Sequence, residues 1–262
     1  MSVLSYLNNL ASDLNIAENE KESISTSLAA IQKRLDSYFE DKLIDQIKFG
    51  SSTRNTMLPR MADPESDVDY LIVFDNSENY TPQTFLSRLK RFADNYYSSS
   101  EIYQSTPTIV LELNHIMFDL VPAYKGWFSY YIPAPKKDFE DWMVTNPNSL
   151  NSQLDDENAA REYILKPVIR LIKYWNSNNG YLYDSFELEK SLASSYFFFC
   201  SNLKDYVFKG FKKICEYDES MPNSKKELLD GALQTIQNVK YFEESEQPNR
   251  AESEIKRLLP PL

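Results

Sequence analysis

Apolar positions recur every three or four residues over the first forty. Leu4, Leu7, Leu10 and Leu14 make one helical face, and Ile24, Leu28, Ile31, Leu35 and Phe39 make another, so residues 1–41 read as helical. Lys42 to Phe49 is a short, partly apolar run of strand length. A polar loop follows, from Gly50 to about Asp63. Val68 to Phe74 is dense in β-branched and aromatic residues and predicts a strand. Thr81 to Tyr97 predicts a helix, with Thr81 as N-cap and Pro82 at the first helical position. Glu101 to Leu113 and His115 to Tyr124 predict two strands joined by a tight turn at Asn114, and Phe128 to Pro133 a further one. After residue 155 the texture turns helical: Arg161 to Asn176, Ser185 to Leu203, Tyr206 to Glu216, Lys225 to Val239 and Arg250 to Leu259, with the acidic, Ser-rich Glu243 to Asn249 as a loop. The expected architecture is α+β. A mixed lobe over residues 1–150 precedes a helical lobe over residues 151–262, and no internal repeat is visible.

Composition narrows the partners. Hydrophobic residues make up 42% of the 262, enough for a sizeable core, and the 18 Tyr and 15 Phe are mostly packing material. The balance of 28 basic against 39 acidic side chains gives a net charge of −11. Gripping duplex nucleic acid requires a basic surface that displaces counterions, so long nucleic acid is not expected as a partner. Small phosphorylated ligands are compatible, because a few fixed cations and metal ions can hold them in a cleft. The two cysteines, Cys200 and Cys215, form no C-x-x-C pattern and are expected to be reduced, partly buried thiols. No basic-then-apolar leader opens the chain, and the most apolar stretch, Tyr196 to Cys200, is too short to span a membrane. A cytoplasmic protein is expected.

Three segments carry candidate chemistry. In Phe49-Gly50-Ser51-Ser52-Thr53-Arg54, a glycine after a strand lets backbone N–H groups turn toward a ligand, and the serine hydroxyls add donors. That concavity suits phosphate oxygens; an ordinary loop is the commoner use of such a run. In Ser66-Asp67-Val68-Asp69, two carboxylates two apart on a strand share one face while Val68 points to the core. Side by side they repel, and a divalent cation is the usual remedy. Magnesium takes oxygen ligands at about 2.1 Å and often shares them with substrate phosphates. A solvated strand entrance is the alternative. In Ile116-Met117-Phe118-Asp119-Leu120-Val121, an acid interrupts an apolar strand, which is costly unless it is paired, bound to metal or turned to water at a sheet edge. Taken together they are more specific: two metals about 4 Å apart need several carboxylates, and a glycine-serine loop would hold the terminal phosphates of a nucleotide in line.

At these residues the chain resembles a known family, the bacterial cGAS/DncV-like nucleotidyltransferases, a branch of the polymerase-β-like superfamily related to oligoadenylate synthase. The stretches are FGSSTRNTMLPRMADPESDVDYLIVF at 49–74, LELNHIMFDLVPAY at 111–124, KPVIRLIKYWN at 166–176 and SFELEKSL at 185–192. The resemblance implies a palm-like sheet with a helical lobe, an active site between them and a long N-terminal helix bracing both. It implies synthesis of a cyclic di- or trinucleotide from nucleoside triphosphates as an anti-phage (CBASS) signal, with two Mg2+ ions (or Mn2+), and partner proteins of a defence operon. On the family pattern Gly50 and Ser51 match the phosphate loop, Asp67, Asp69 and Asp119 the catalytic metal ligands, and Lys173 a lysine reaching the triphosphate. Asn55 stands where the family often has glycine.

The residues alone leave other readings. On its helix Lys173 fits a solvated face equally well. Ser185 and Glu189 are placed toward a cleft only weakly. Trp175 and Tyr183 fit core packing better than base stacking, Asn176 fits a helix cap, and His115 sits in a turn with no role. Competing functions are an aminoglycoside- or lincosamide-type drug-modifying nucleotidyltransferase, a tRNA-end or poly(A) polymerase, and a non-catalytic nucleotide-binding module of the same fold. The KYWN and SFELE segments argue against the first, acidity against the second, and retention of all three aspartates against the last.

Overall fold

The computed structural model describes residues 2–134, 141–216 and 220–262. Its strands form one sheet of seven, ordered β1-β2-β5-β4-β3, with β6 paired to β5 and β7 to β6. The strands are β1 (Leu43–Lys48), β2 (Asp67–Phe74), β3 (Glu101–Ser105), β4 (Thr108–Leu113), β5 (Ile116–Lys125), β6 (Tyr130–Pro133) and β7 (Trp142–Thr145). Among the described residues only β2 and β5 run parallel; every other pair is antiparallel. The expected single strand from Glu101 to Leu113 is two, because Pro107 lacks the N–H that a continuing ladder needs and the chain turns there.

The alternation of β2 assigns its two faces. Val68, Tyr70, Ile72 and Phe74 are fully buried under two helices, α2 (Glu18–Phe39) and α4 (Pro82–Tyr96). Phe74 meets Phe39 edge-on at 4.8 Å and stacks on Phe85 at 4.9 Å, and Gln32 on α2 donates to the Tyr70 hydroxyl at 2.8 Å. Each fully buried phenylalanine contributes about 1.5–3 kcal/mol, so this aromatic layer fixes the strand's orientation. The opposite face must then carry Asp67, Asp69, Leu71 and Val73. Leu71 and Val73 close a small core with Val121, Ala123 and Ile132. The two aspartates fall at the other end of that face.

By compactness the chain forms two units that interleave in sequence. One holds residues 17–55 and 65–151, which include the sheet, α2, α4 and the short α3 (Ser51–Arg54). The other holds residues 1–16, 56–64 and 152–262. It contains α1 (Val3–Asp13), α6 (Leu165–Asn178), α7 (Ser185–Ala193), α8 (Leu203–Ile214), α9 (Asn223–Glu244) and α10 (Pro248–Leu258). A further helix, α5 (Ser149–Ala159), was not anticipated from the sequence. The helical run at the N-terminus breaks between Asp13 and Glu18, giving two helices.

In the helical unit α1 is tied to the C-terminus by Tyr6, whose hydroxyl donates to the Leu259 carbonyl at 2.6 Å. Gly210 lets α8 approach α6: a Cβ there would lie 2.6 Å from Ile172 Cδ1. Helix α7 stops at Ala193, ten residues before the expected end. Tyr196, Phe198 and Phe199 are exposed, and Phe199 takes a left-handed backbone. Apolarity without a buried face did not sustain a helix there. Conversely, the acidic stretch expected as a loop is mostly helical, with a break only from Ser245 to Gln247. Cys215 is buried and Cys200 partly so; both are free. Among the described residues no helix is long and apolar enough to cross a membrane.

Candidate functional site

The parallel pairing of β2 with β5 places Asp69 directly opposite Asp119. Asp67 lies two residues back on the same face of β2, as period-two alternation dictates. Each of the three offers a carboxylate oxygen within 4.8 Å of the others, the one grouping among the described residues that could hold a metal ion. All three are partly buried. Burial first, and then the Asp67 charge, raise the Asp119 carboxyl from 3.8 to about 7. This all-oxygen donor set suits a hard divalent cation such as Mg2+, whose charge would relieve the repulsion.

The raised Asp119 has a consequence for stability. In the folded chain it keeps its proton up to about pH 7, whereas an unfolded aspartate releases it near 3.8. Between those values the native state binds more protons, so the metal-free protein must lose stability as pH rises from about 4 to 7. In EDTA, Asp119→Asn is therefore expected to melt above the wild type at pH 8 and to have a flatter pH profile. Magnesium should raise the wild-type melting temperature more at pH 8 than at pH 5. Thermal melts of both proteins across that range check this.

The glycine-serine loop sits against the aspartates. Gly50 has φ +73°, and a Cβ built on it would lie 1.7 Å from Asp69 Oδ2. Only glycine meets both demands. The loop is held by Phe49 N–H donating to the Asp69 carbonyl at 3.1 Å, by the Thr53 hydroxyl donating to the Gly50 carbonyl at 2.8 Å, and by Asn151 donating to Thr53 Oγ1 at 3.2 Å. Ser51 opens α3. Asn55 takes φ +58°, a left-handed position that asparagine tolerates better than most residues, which accounts for its standing in a glycine's place.

Lys173 and Ser185 belong to the helical unit. Lys173 is not on a solvated face: it is 6% exposed and donates to Glu189 Oε1 at 3.0 Å, and Glu189 is fully buried. Ser185 is the first residue of α7, next to the N-cap Asp184, which accepts from the amides of Phe186 and Glu187. Breaking a buried ion pair from one side strands the other charge. Lys173→Ala is therefore expected to cost about 3–5 kcal/mol of stability. The double change Lys173→Met with Glu189→Leu should recover most of that in denaturant unfolding.

Four residues weighed in the sequence have structural places. Trp175 is buried edge-on against Phe211 at 5.4 Å. Tyr183 donates its hydroxyl to the Ile214 carbonyl. Asn176 is buried and bonds both backbone groups of Tyr183, latching the turn after α6. His115 lies 3.1 Å from the Ser27 hydroxyl.

The sequence profile of the Second Messenger Oligonucleotide or Dinucleotide Synthetase domain matches residues 1–158. A probable cyclic nucleotide synthase of Bacillus cereus (strain VD146) is 29% identical over 126 residues, which are 44% of this chain and 37% of that protein. A cyclic AMP-AMP-AMP synthase of an Acinetobacter species is 23% identical over 113 residues, 43% of this chain and 32% of that protein. The matched stretch thus spans about a third of these relatives' lengths. The Vibrio cholerae cyclic AMP-GMP synthase, solved with a linear intermediate, superposes with TM-score 0.79 at 12% identity, covering 99% of this chain and 96% of that one. At that identity the likeness establishes the fold.

Proposed function

Because the chain belongs to the Second Messenger Oligonucleotide or Dinucleotide Synthetase family, we propose that it joins nucleoside triphosphates into a cyclic di- or trinucleotide second messenger. The observation that carries this is the convergence of Asp67, Asp69 and Asp119 within 4.8 Å, closed on one side by Gly50. The relatives' names, which describe cyclic nucleotide synthases, support the product class. The resemblance also supports a role in anti-phage signalling.

In the reaction, a ribose hydroxyl oxygen of one nucleotide bonds to the α-phosphorus of another. The bond to the β-phosphate oxygen breaks, pyrophosphate leaves and the hydroxyl proton passes to solvent. Asp67, Asp69 and Asp119 would hold Mg2+ ions, which when bound lower the pKa of the hydroxyl and neutralise charge on the triphosphate. The chain's own work is positioning. Asp69 and Asp119, in register on adjacent parallel strands, fix two carboxylates at one point of the sheet. Gly50, by lacking a side chain, lets its loop lie against Asp69 and present backbone donors to phosphate oxygens. The assignment of Ser51 and Lys173 to the triphosphate follows the family pattern, and Ser185 is a further proposed phosphate contact; Lys173 would have to share its ammonium with Glu189.

Incubation with labelled ATP, GTP, CTP and UTP and Mg2+ tests the reading. The expected result is a phosphatase-resistant cyclic product, formed without any drug or polynucleotide acceptor. Transfer only to an added aminoglycoside or lincosamide would establish the drug-modifying alternative instead.

A further inference from the structure

The row of residues that passes through the metal-binding aspartates continues across the sheet. Asp69 is in register with Asp119, Asp119 with Val110 on β4, and Val110 with Tyr103 on β3. Registered partners project to the same side, so Tyr103 stands on the aspartates' face. At about 4.8 Å per strand its backbone is roughly 10 Å from that of Asp119. Val110 between them is buried and apolar, whereas Tyr103 is 40% exposed on the edge strand. The neighbouring row runs Asp67, Met117, Glu112 and Glu101. Burial and the charges of Glu112, Glu65, Asp119 and Glu101 all raise the Tyr103 hydroxyl, which marks a ring ringed by carboxylates.

The two sides of the aspartates are therefore unlike. On the β1 side the Gly50 loop closes on Asp69, and that is the side proposed for phosphates. On the β4–β3 side lie an apolar floor, a flat exposed ring and several acids. Anionic phosphates are repelled there, while an uncharged sugar and base are not. The span from Asp119 to Tyr103 is about that of a nucleoside.

We infer that Tyr103 is a positioning residue for the nucleotide that supplies the attacking hydroxyl, stacking on its base so that the ribose lies over Val110 beside Asp119. This rests on the synthase reading proposed above. The ring is the feature used, so phenylalanine serves as well as tyrosine, and the triphosphate on the Gly50 side does not depend on it.

Synthesis by wild type, Tyr103→Phe and Tyr103→Ala tests this, together with the affinity of each for a non-hydrolysable nucleoside triphosphate in Mg2+. Base–aromatic stacking of ordinary strength predicts that Tyr103→Ala loses about 10- to 100-fold in kcat/KM. Tyr103→Phe should stay within about threefold of wild type, and all three should bind the analogue within about twofold with equal melting temperatures. An unchanged Tyr103→Ala, an equal loss in Tyr103→Phe, or an equal loss of analogue binding overturns the stacking role. A wild type that makes no oligonucleotide defeats the synthase reading itself, a separate outcome visible in the same assay.

Discussion

Asp69→Asn is expected to lower oligonucleotide synthesis by about 10³-fold or more while leaving the fold intact. Metal-borne charge stabilisation is worth several kcal/mol in reactions of this kind, and each 1.4 kcal/mol is tenfold in rate. Asp69 is the carboxylate that both faces Asp119 across the parallel pair and touches the Gly50 loop. The amide keeps the volume and removes the charge, so packing against the loop survives. Without metal, stability should stay level or rise, because one member of a repelling cluster has been neutralised. Rates measured beside circular dichroism and thermal melts check both halves. Near-normal turnover would contradict the assignment.

The second large effect is expected at a residue with no functional group. Gly50→Ala forces a side chain into φ +73° and places its Cβ 1.7 Å from Asp69 Oδ2, with Asp69 Cγ at 2.6 Å. The neighbour is a short aspartate on a strand, not the free end of a flexible chain, so the loop and the carboxylate must part. With ψ at −159°, a region held essentially by glycine alone, a residue with a Cβ costs about 1–3 kcal/mol, which the unit should survive. The site should not: a displacement near 1 Å in a positioned group can cost roughly 10²-fold in rate. The expected result is a folded protein, lower-melting by a few degrees, with synthesis reduced about 10²-fold or more. Full activity in Gly50→Ala would mean that the loop does not need its closeness to Asp69.

How much of this was legible in the sequence differs element by element. β2 was legible because Val68 and the run from Tyr70 to Phe74 are dense in β-formers around Asp69, and period-two alternation then sets Asp67 and Asp69 together on one face. Asp119 was legible because a carboxylate inside Ile116–Val121 needs a reason. The register that sets it against Asp69 was not, since parallel pairing between distant segments leaves no local mark. The Gly50–Asp69 contact is of the same kind. Local rules could have split β3 from β4 at Pro107, which has no N–H to give a continuing ladder. Tyr103 carries no local signal, because its place beside the aspartates depends on two successive registers. Lys173 could be assigned to solvent or to phosphate from its helix alone. Its partner, Glu189, lies on another helix, so the pair appears only once α6 and α7 are placed. The helix expected from Ser185 to Leu203 ends at Ala193, because Tyr196, Phe198 and Phe199 turn to solvent and supply no buried face to continue it.

The central claim is that these three carboxylates share divalent ions with a nucleotide's phosphates. Anomalous diffraction from crystals grown with Mn2+ and a non-hydrolysable nucleoside triphosphate measures it directly. The account predicts manganese ligated by Asp67, Asp69 and Asp119 together with phosphate oxygens, and lost in Asp69→Asn crystals. Manganese found elsewhere, with the nucleotide bound and the three carboxylates bare, would contradict it.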